Sequence, residues 1–211
     1  MIPYGTFTFF LIAFIVLIPV IILGFLGKRS YIYNGISTAI MIVIIFASDK
    51  HNLLGQKYLS AQLFCFIIYV IWQVALIMYY YQSRQRKNTF TKFVTIMVLS
   101  ILPLAIVKIL QSSWLGGHQI HFHESKLIEF VGFLGISYVT FKSVQLIMEI
   151  RDGSIKEIKV GKLIQFISFF PTISSGPIDR YKRFVKDDKK VPSGAEYREL
   201  VIKAIHMIMF C

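Results

Sequence analysis

The apolar residues of this chain are gathered into long runs rather than alternating with polar ones. Phe7 to Leu26, Tyr31 to Ser48 and Leu59 to Tyr81 contain no Lys, Arg, Asp or Glu. A helix needs about 20 apolar residues to cross roughly 30 Å of hydrocarbon, so each of these runs predicts a transmembrane helix. Phe90 to Gln111 predicts a fourth. Its only charges, Lys92 and Lys108, sit near its ends, where long side chains reach the interface. Leu127 to Ile150 predicts a fifth, although Lys142 falls in mid-run and Glu129 and Glu149 lie toward the ends. The expected fold is therefore all-α: a polytopic helical protein in one transmembrane domain over residues 1–211, with spans at about 7–26, 31–48, 59–81, 90–111 and 127–150.

The stretch after the fifth run is different. Val160 to Ser175 is short, and Pro171, Gly176 and Pro177 end a regular helix near Phe170. Broken backbone at membrane depth persists only where protein or a water-filled cavity satisfies its polar groups. Residues 160–177 thus read as a broken, re-entrant or interfacial segment lining a cavity. A basic stretch follows over 179–199, with Arg180, Lys182, Arg183, Lys186, Lys189 and Lys190. Ser193 and Glu196 have capping-box spacing and start a further helix, of which 200–211 is the apolar part. That part stops at Cys211 before it is long enough to span, so the sequence reads as the front part of a longer one.

Composition supports a membrane class. Only 16% of residues are charged while 55% are hydrophobic, too few charges and too much apolar surface for a typical soluble domain. The first run has no Lys or Arg ahead of it and no small-residue cleavage site behind it, so it reads as a retained anchor. Cys65 and Cys211 both sit in apolar runs, which argues against a disulfide framework. The net charge of +12 matters through its distribution. Lys28, Arg29, Arg84, Arg86, Lys87, Arg151, Lys156 and Lys159 lie in the odd loops, against Lys50, Lys57 and Lys126 in the even ones. The positive-inside rule then puts the odd loops in the cytoplasm and the N-terminus outside. A sixth full crossing at 160–175 would put the basic stretch outside, which is a second reason to read that segment as re-entrant.

On the fifth helix, Tyr138, Lys142, Gln145 and Glu149 are spaced to fall within about a 60° arc. Such a stripe either bonds to neighbouring helices and holds the bundle together or faces a hydrated chamber. His118, His121 and His123 share one outer loop without Cys or Asp, and they read as a solvated loop rather than a metal site. His206, alone in the last apolar run, reads as a packed residue. The basic stretch suits either anionic lipid or an acidic partner.

Two runs go further. FLGISYVTFKSVQLIMEIRDG, Phe133 to Gly153, and FISFFPTISSGPIDRYKRF, Phe166 to Phe184, resemble the membrane-bound O-acyltransferase family, and the layout of most of the chain is similar to it. The resemblance implies a ring of helices around a narrow tunnel joining the two sides of the membrane. In the branch that the runs look most like, it implies D-alanine carried as a thioester on the phosphopantetheine arm of a small acidic cytoplasmic carrier protein. The D-alanine ends as an ester on teichoic acid outside. The implied partners are that carrier, the teichoic acid acceptor, membrane lipid and small membrane subunits, with no nucleic acid. The chain itself would bind no cofactor and no metal. Tyr138, Lys142, Gln145, Ser174, Ser175, Gly176, Pro177, Asp179 and Arg180 become the candidates for the tunnel or substrate path.

The family's catalytic histidine lies in a tryptophan-rich segment of the type F-W-N-R-W-H, and no such segment occurs here. Trp72 and Trp114 lie elsewhere, and His206 does not match the pattern. No residue of the chain is therefore assigned a catalytic role, and the histidine is expected beyond Cys211. The competing reading, from the transport class, is a transporter or flippase subunit with a central polar pathway, although no paired halves are visible.

Overall fold

A computed structural model describes residues 7–28, 31–47, 59–86, 90–111, 135–155, 157–173, 179–189 and 192–210. Among them the chain is helical, with no strand. The elements are α1 (Phe7–Phe25), α2 (Tyr31–Ala47), α3 (Leu59–Arg86), α4 (Phe90–Gln111), α5 (Ile136–Arg151), α6 (Val160–Ser168), a 3-10 turn (Phe170–Thr172), α7 (Tyr181–Lys189) and α8 (Gly194–Phe210). The helices lie over the apolar runs. Pro19 and Pro103 sit inside α1 and α4. The fifth run is helical from Ile136; its first residues, and the loop with His118, His121 and His123, lie outside the described residues.

Among the described residues two helices, over Leu63–Arg86 and Phe90–Ile109, are long and apolar enough to cross a membrane. The core helix of a soluble protein can pass the same length test, so burial decides what these helices are. Only 33% and 28% of the two apolar windows are buried inside the structure. Phe64, Ile71, Phe90 and Val98 point outward. Gln73, Ser100, Thr140 and Ser143, by contrast, are fully buried. In water this arrangement would expose the surface that the hydrophobic effect removes and hide the groups that water solvates. In hydrocarbon it is the expected one, because polar groups have partners only inside the protein.

The chain divides into two compact units, 1–49 with 184–211, and 50–183. In the first, α1 packs against α2 and α8. Ser193 caps α8 with the reciprocal pair its spacing predicts: the Glu196 N–H donates to Ser193 Oγ (3.3 Å), and the Ser193 N–H donates to Glu196 Oε2 (3.1 Å). Small residues let the two helices approach. The Tyr197 ring lies directly over Gly24 and meets Phe25 edge to face with centroids 5.1 Å apart. A Cβ on Gly194 would come within 2.8 Å of Phe25 O. His206, expected to be packed, is exposed on α8. Most of the described side chains of α8, over residues 194–207, are exposed, so position in an apolar run does not imply burial there.

In the second unit, α3 and α4 both pack on α5, and α3 also packs on α6. Just past the end of α5 stands Gly153, whose φ of 74° is open to glycine. The Gly153 N–H donates to Ile150 O (3.1 Å) and the Ser154 N–H to Glu149 O (3.1 Å), a Schellman closure that satisfies the last carbonyls and turns the chain back.

The contact at Gly24 can be checked against Gly35, which has nothing within 4 Å of where a Cβ would stand. Gly24→Ala should destabilise the detergent-solubilised chain by about 1–3 kcal/mol through overpacking. Gly35→Ala should be neutral or slightly stabilising, as expected for a helix interior. Thermal unfolding followed by size-exclusion chromatography reads both, and equal melting of the two variants would refute the packing.

Candidate functional site

Three helices of the second unit are tied by one chain of hydrogen bonds. Ser100 Oγ on α4 donates to Gln73 Oε1 (2.7 Å), and Gln73 Nε2 donates to Ser100 O (3.0 Å) and to Tyr69 Oη (2.8 Å) on its own helix α3. Thr140 Oγ1 on α5 donates to Ile136 O (2.7 Å), so its lone pair is left to accept from Tyr69 Oη at 2.6 Å. Each proton has a place to go, and the chain ends in a backbone carbonyl. A fully satisfied buried network rigidifies and fixes register. The pattern of runs does not single out these residues. The signal available is Gln73, an amide in the middle of a long apolar run.

The polar stripe of α5 faces a second construction. α6 leaves the C-terminal end of α5, runs back along it and stops at Ser168, two residues short of where the prolines imply. Phe170–Thr172 continues as a 3-10 turn that ends on Ile173. There the chain passes the start of α5 so closely that a Cβ on Gly135 would lie 2.5 Å from Ile173 O. Gly135 also has a φ of 93°, so both space and backbone call for glycine at this point. By Tyr181 the chain has returned: its ring meets Phe166 edge to face at 5.5 Å. Burial pushes the Tyr181 phenol above its ordinary range. Residues 160–173 and 179–181 thus form the two limbs of a hairpin laid on α5.

Lys142 pins the hairpin. It is 2% exposed, and Nζ donates to Phe166 O (3.2 Å), Ile167 O (3.4 Å) and Thr172 Oγ1 (2.6 Å). The Thr172 hydroxyl passes its own proton to Phe169 O at 3.2 Å. The ammonium also stands 5.6 Å over the Phe166 ring. The cation therefore sits at the C-terminal end of α6, where orphan carbonyls and the negative end of the helix dipole gather. Asp179, on the returning limb, is the carboxylate that acts on this charge.

The other stripe residues are half-buried: Tyr138, Gln145 and Glu149. Gln145 Oε1 and both carboxylate oxygens of Glu149 are shut off from solvent without a hydrogen-bond partner. Asp179 is half-buried and Arg180 exposed. Asp179 Oδ1 accepts the Arg180 N–H (2.8 Å) and pairs with Arg183 Nε at 3.4 Å. Ser174, Ser175, Gly176 and Pro177 lie outside the described residues. No group of three or more His, Cys, Asp or Glu that could hold a metal occurs among the described residues.

Apolar side chains turned outward, polar side chains knotted within and a helix capped by a buried lysine define a helical membrane protein. Comparison with known proteins sharpens this class. No family model matches the chain. It is similar over nearly its whole length to proteins named teichoic acid D-alanyltransferase. The one from Bacillus subtilis is 45% identical over 209 residues, covering 99% of this chain and 49% of that protein. The one from Lacticaseibacillus rhamnosus is 42% identical over 210 residues, covering 98% and 47%. The one from Streptococcus thermophilus is 32% identical over 207 residues, covering 98% and 45%. The chain spans about half the length of the curated relatives it matches. The resemblance carried by the two runs around Lys142 and the hairpin thus extends along nearly all of the chain.

The pin makes a measurable statement. Lys142→Met keeps much of the side chain's length and leaves Phe166 O, Ile167 O and Thr172 Oγ1 without their donor. The expected loss is about 2–4 kcal/mol, because buried acceptors are left unsatisfied. Thr172→Val removes one link and should cost about 1 kcal/mol. Thermal melting in detergent measures both, and a Lys142→Met protein as stable as the parent would contradict the capping role.

Proposed function

We propose that this chain is part of a multi-pass cell-membrane O-acyltransferase of the membrane-bound O-acyltransferase family, which moves D-alanine onto teichoic acid. The observation that carries the reading is the likeness to teichoic acid D-alanyltransferases over 99% of the chain. In this reading the amino acid arrives as a thioester on the phosphopantetheine arm of an acidic cytoplasmic carrier. The C–S bond breaks as an ester C–O bond forms to an acceptor hydroxyl, whose proton passes through a base to the departing thiolate. No cofactor is bound by the chain itself. Membrane lipid and small membrane subunits complete the expected partners.

The two limbs laid on α5, residues 160–173 and 179–181, support the reading of a re-entrant segment. Exposed Lys182, Arg183 and Lys186 on α7 suit an acidic carrier. A base tuned near neutral pH is what hydroxyl attack requires. Residues 1–211 contain no histidine in a tryptophan-rich segment. Purified in lipid, the full-length protein that contains this chain should move radiolabelled D-alanine from charged carrier to a glycerol phosphate acceptor. The 211 residues alone should not exceed the no-protein blank. No transfer by the full-length protein would overturn the assignment. Transfer by the chain alone that disappears on His206→Ala would relocate the base to this part.

Topology follows from the Lys and Arg bias, with the N-terminus outside. In a Cys65→Ser, Cys211→Ser background, Gly117→Cys should react with an impermeant thiol reagent on intact cells and Arg86→Cys should not. The opposite pattern would invert the protein.

A further inference from the structure

α3 and α5 finish at the same end of the second unit, and that end gathers cations. The Arg84 guanidinium of α3 reaches the residue just past α5: a Cβ on Gly153 would stand 3.2 Å from Arg84 Nη2. The Arg151 guanidinium of α5 lies 4.7 Å over the Phe93 ring of α4, and Tyr80 of α3 meets the same ring with centroids 6.2 Å apart. Lys92, one residue before Phe93, donates from α4 to Ser83 Oγ on α3 at 2.9 Å.

Donors here outnumber acceptors. Arg84 Nε and Tyr80 Oη are shut off from solvent with no hydrogen-bond partner, and Tyr80 is 2% exposed. Arg84 is half-buried, and its terminal nitrogens stay open to solvent. The acceptors within easiest reach, the last carbonyls of α5, are already taken: Met148 O, Glu149 O and Ile150 O accept from the N–H groups of Asp152, Ser154 and Gly153. Of Arg84, Lys92 and Arg151, Arg151 alone has a carboxylate within ion-pair distance. Asp152 meets it through Nε at 2.9 Å, which leaves the terminal nitrogens of Arg151 for another acceptor.

What completes such a set is a compact anion with several acceptor oxygens, and a guanidinium fork matches the oxygens of a phosphate. Arginines at the ends of spanning helices stand where hydrocarbon gives way to headgroups, and basic pockets between such helices are where lipid phosphates bind. Apolar surface adjoins the charges. Phe90, whose ring lies 6.2 Å from that of Phe93, is 74% exposed, and Tyr79 beside Tyr80 is 60% exposed. A soluble anion would gain nothing from that surface, whereas a lipid lays its acyl chains on it. We propose that Arg84 and Arg151 hold the phosphodiester of an anionic glycerophospholipid at the end of α3 and α5. The site is independent of the acyl-transfer reading; only its leaflet, the cytoplasmic one, rests on the Lys and Arg bias.

The test uses the full-length protein that contains this chain, purified in neutral detergent and titrated with dioleoylphosphatidylglycerol or dioleoylphosphatidylcholine. Native mass spectrometry counts the bound lipid. The parent should bind phosphatidylglycerol about tenfold more tightly than phosphatidylcholine. Arg84→Gln should weaken phosphatidylglycerol binding by about tenfold and leave phosphatidylcholine binding unchanged. Arg84→Lys keeps the charge but loses the fork, and it should fall between parent and Arg84→Gln. Arg151→Gln should weaken phosphatidylglycerol binding by about fivefold, and it carries the test if Arg84→Gln does not fold. Lys186→Gln, exposed on α7, should bind as the parent does. Equal binding of the two lipids by the parent, as when a carboxylate from elsewhere in the protein covers Arg84, would overturn the proposal. So would Arg84→Gln and Arg151→Gln variants that bind phosphatidylglycerol like the parent. Inorganic phosphate in large excess should not displace the lipid; displacement would assign the arginines to a free anion and overturn the lipid assignment.

Discussion

A helix that stops inside an apolar surround leaves carbonyls pointing at nothing, and that constraint organises the second unit. α6 stops at Ser168, where the chain is turned by Pro171. Water would satisfy its last carbonyls at a protein surface. Here a cation from the neighbouring helix does so, and Thr172 relays one further bond to Phe169 O. The lysine could not lie there without those acceptors, nor the break without the lysine. Insertion of a charge at membrane depth costs about 2.5 kcal/mol or more. Three hydrogen bonds, a ring face and a facing carboxylate offset it.

The same constraint explains why α5 is the spine. It receives the polar knot of α3 and α4 on the side of Thr140 and the hairpin on the side of Lys142 and Glu149. Its apolar residues Val139, Leu146, Ile147 and Ile150 fill the space between these fixtures and are fully buried. Dispersion and burial hold helices in contact, but they do not choose a register among similar apolar side chains. Directional bonds do. Tyr69, Gln73, Ser100 and Thr140 fix the rotation of three helices about their axes, and Lys142 fixes how far α6 runs.

Much of this architecture is legible in the order of residues along the chain. Run length locates the helices because hydrocarbon thickness sets it, and α4 coincides with its run from Phe90 to Gln111. The capping box at Ser193 is legible because it is local: donor and acceptor lie three residues apart. The stripe on α5 is legible because periodicity is a property of one helix. What the stripe meets is not. Whether Lys142 bonds protein or faces water depends on where Phe166 and Thr172 return in space, and no spacing along the chain encodes that. His206 escapes its expected burial in the same way, since an apolar run does not say which of its faces the neighbours cover.

The division of labour between the two kinds of polar residue bears on what the site can do. The knot around Gln73 is closed: every donor and acceptor named in it is paired, so it has no capacity left for a ligand or a moving proton. The Glu149 end is open in the opposite sense, with acceptors enclosed but unpaired at Glu149 and Gln145. Closed and unpaired polar groups therefore lie on the same helix, at Thr140 and at Glu149. The first limb of the hairpin is fixed at Thr172 by direct bonds, and the second returns against Phe166 through the ring of Tyr181.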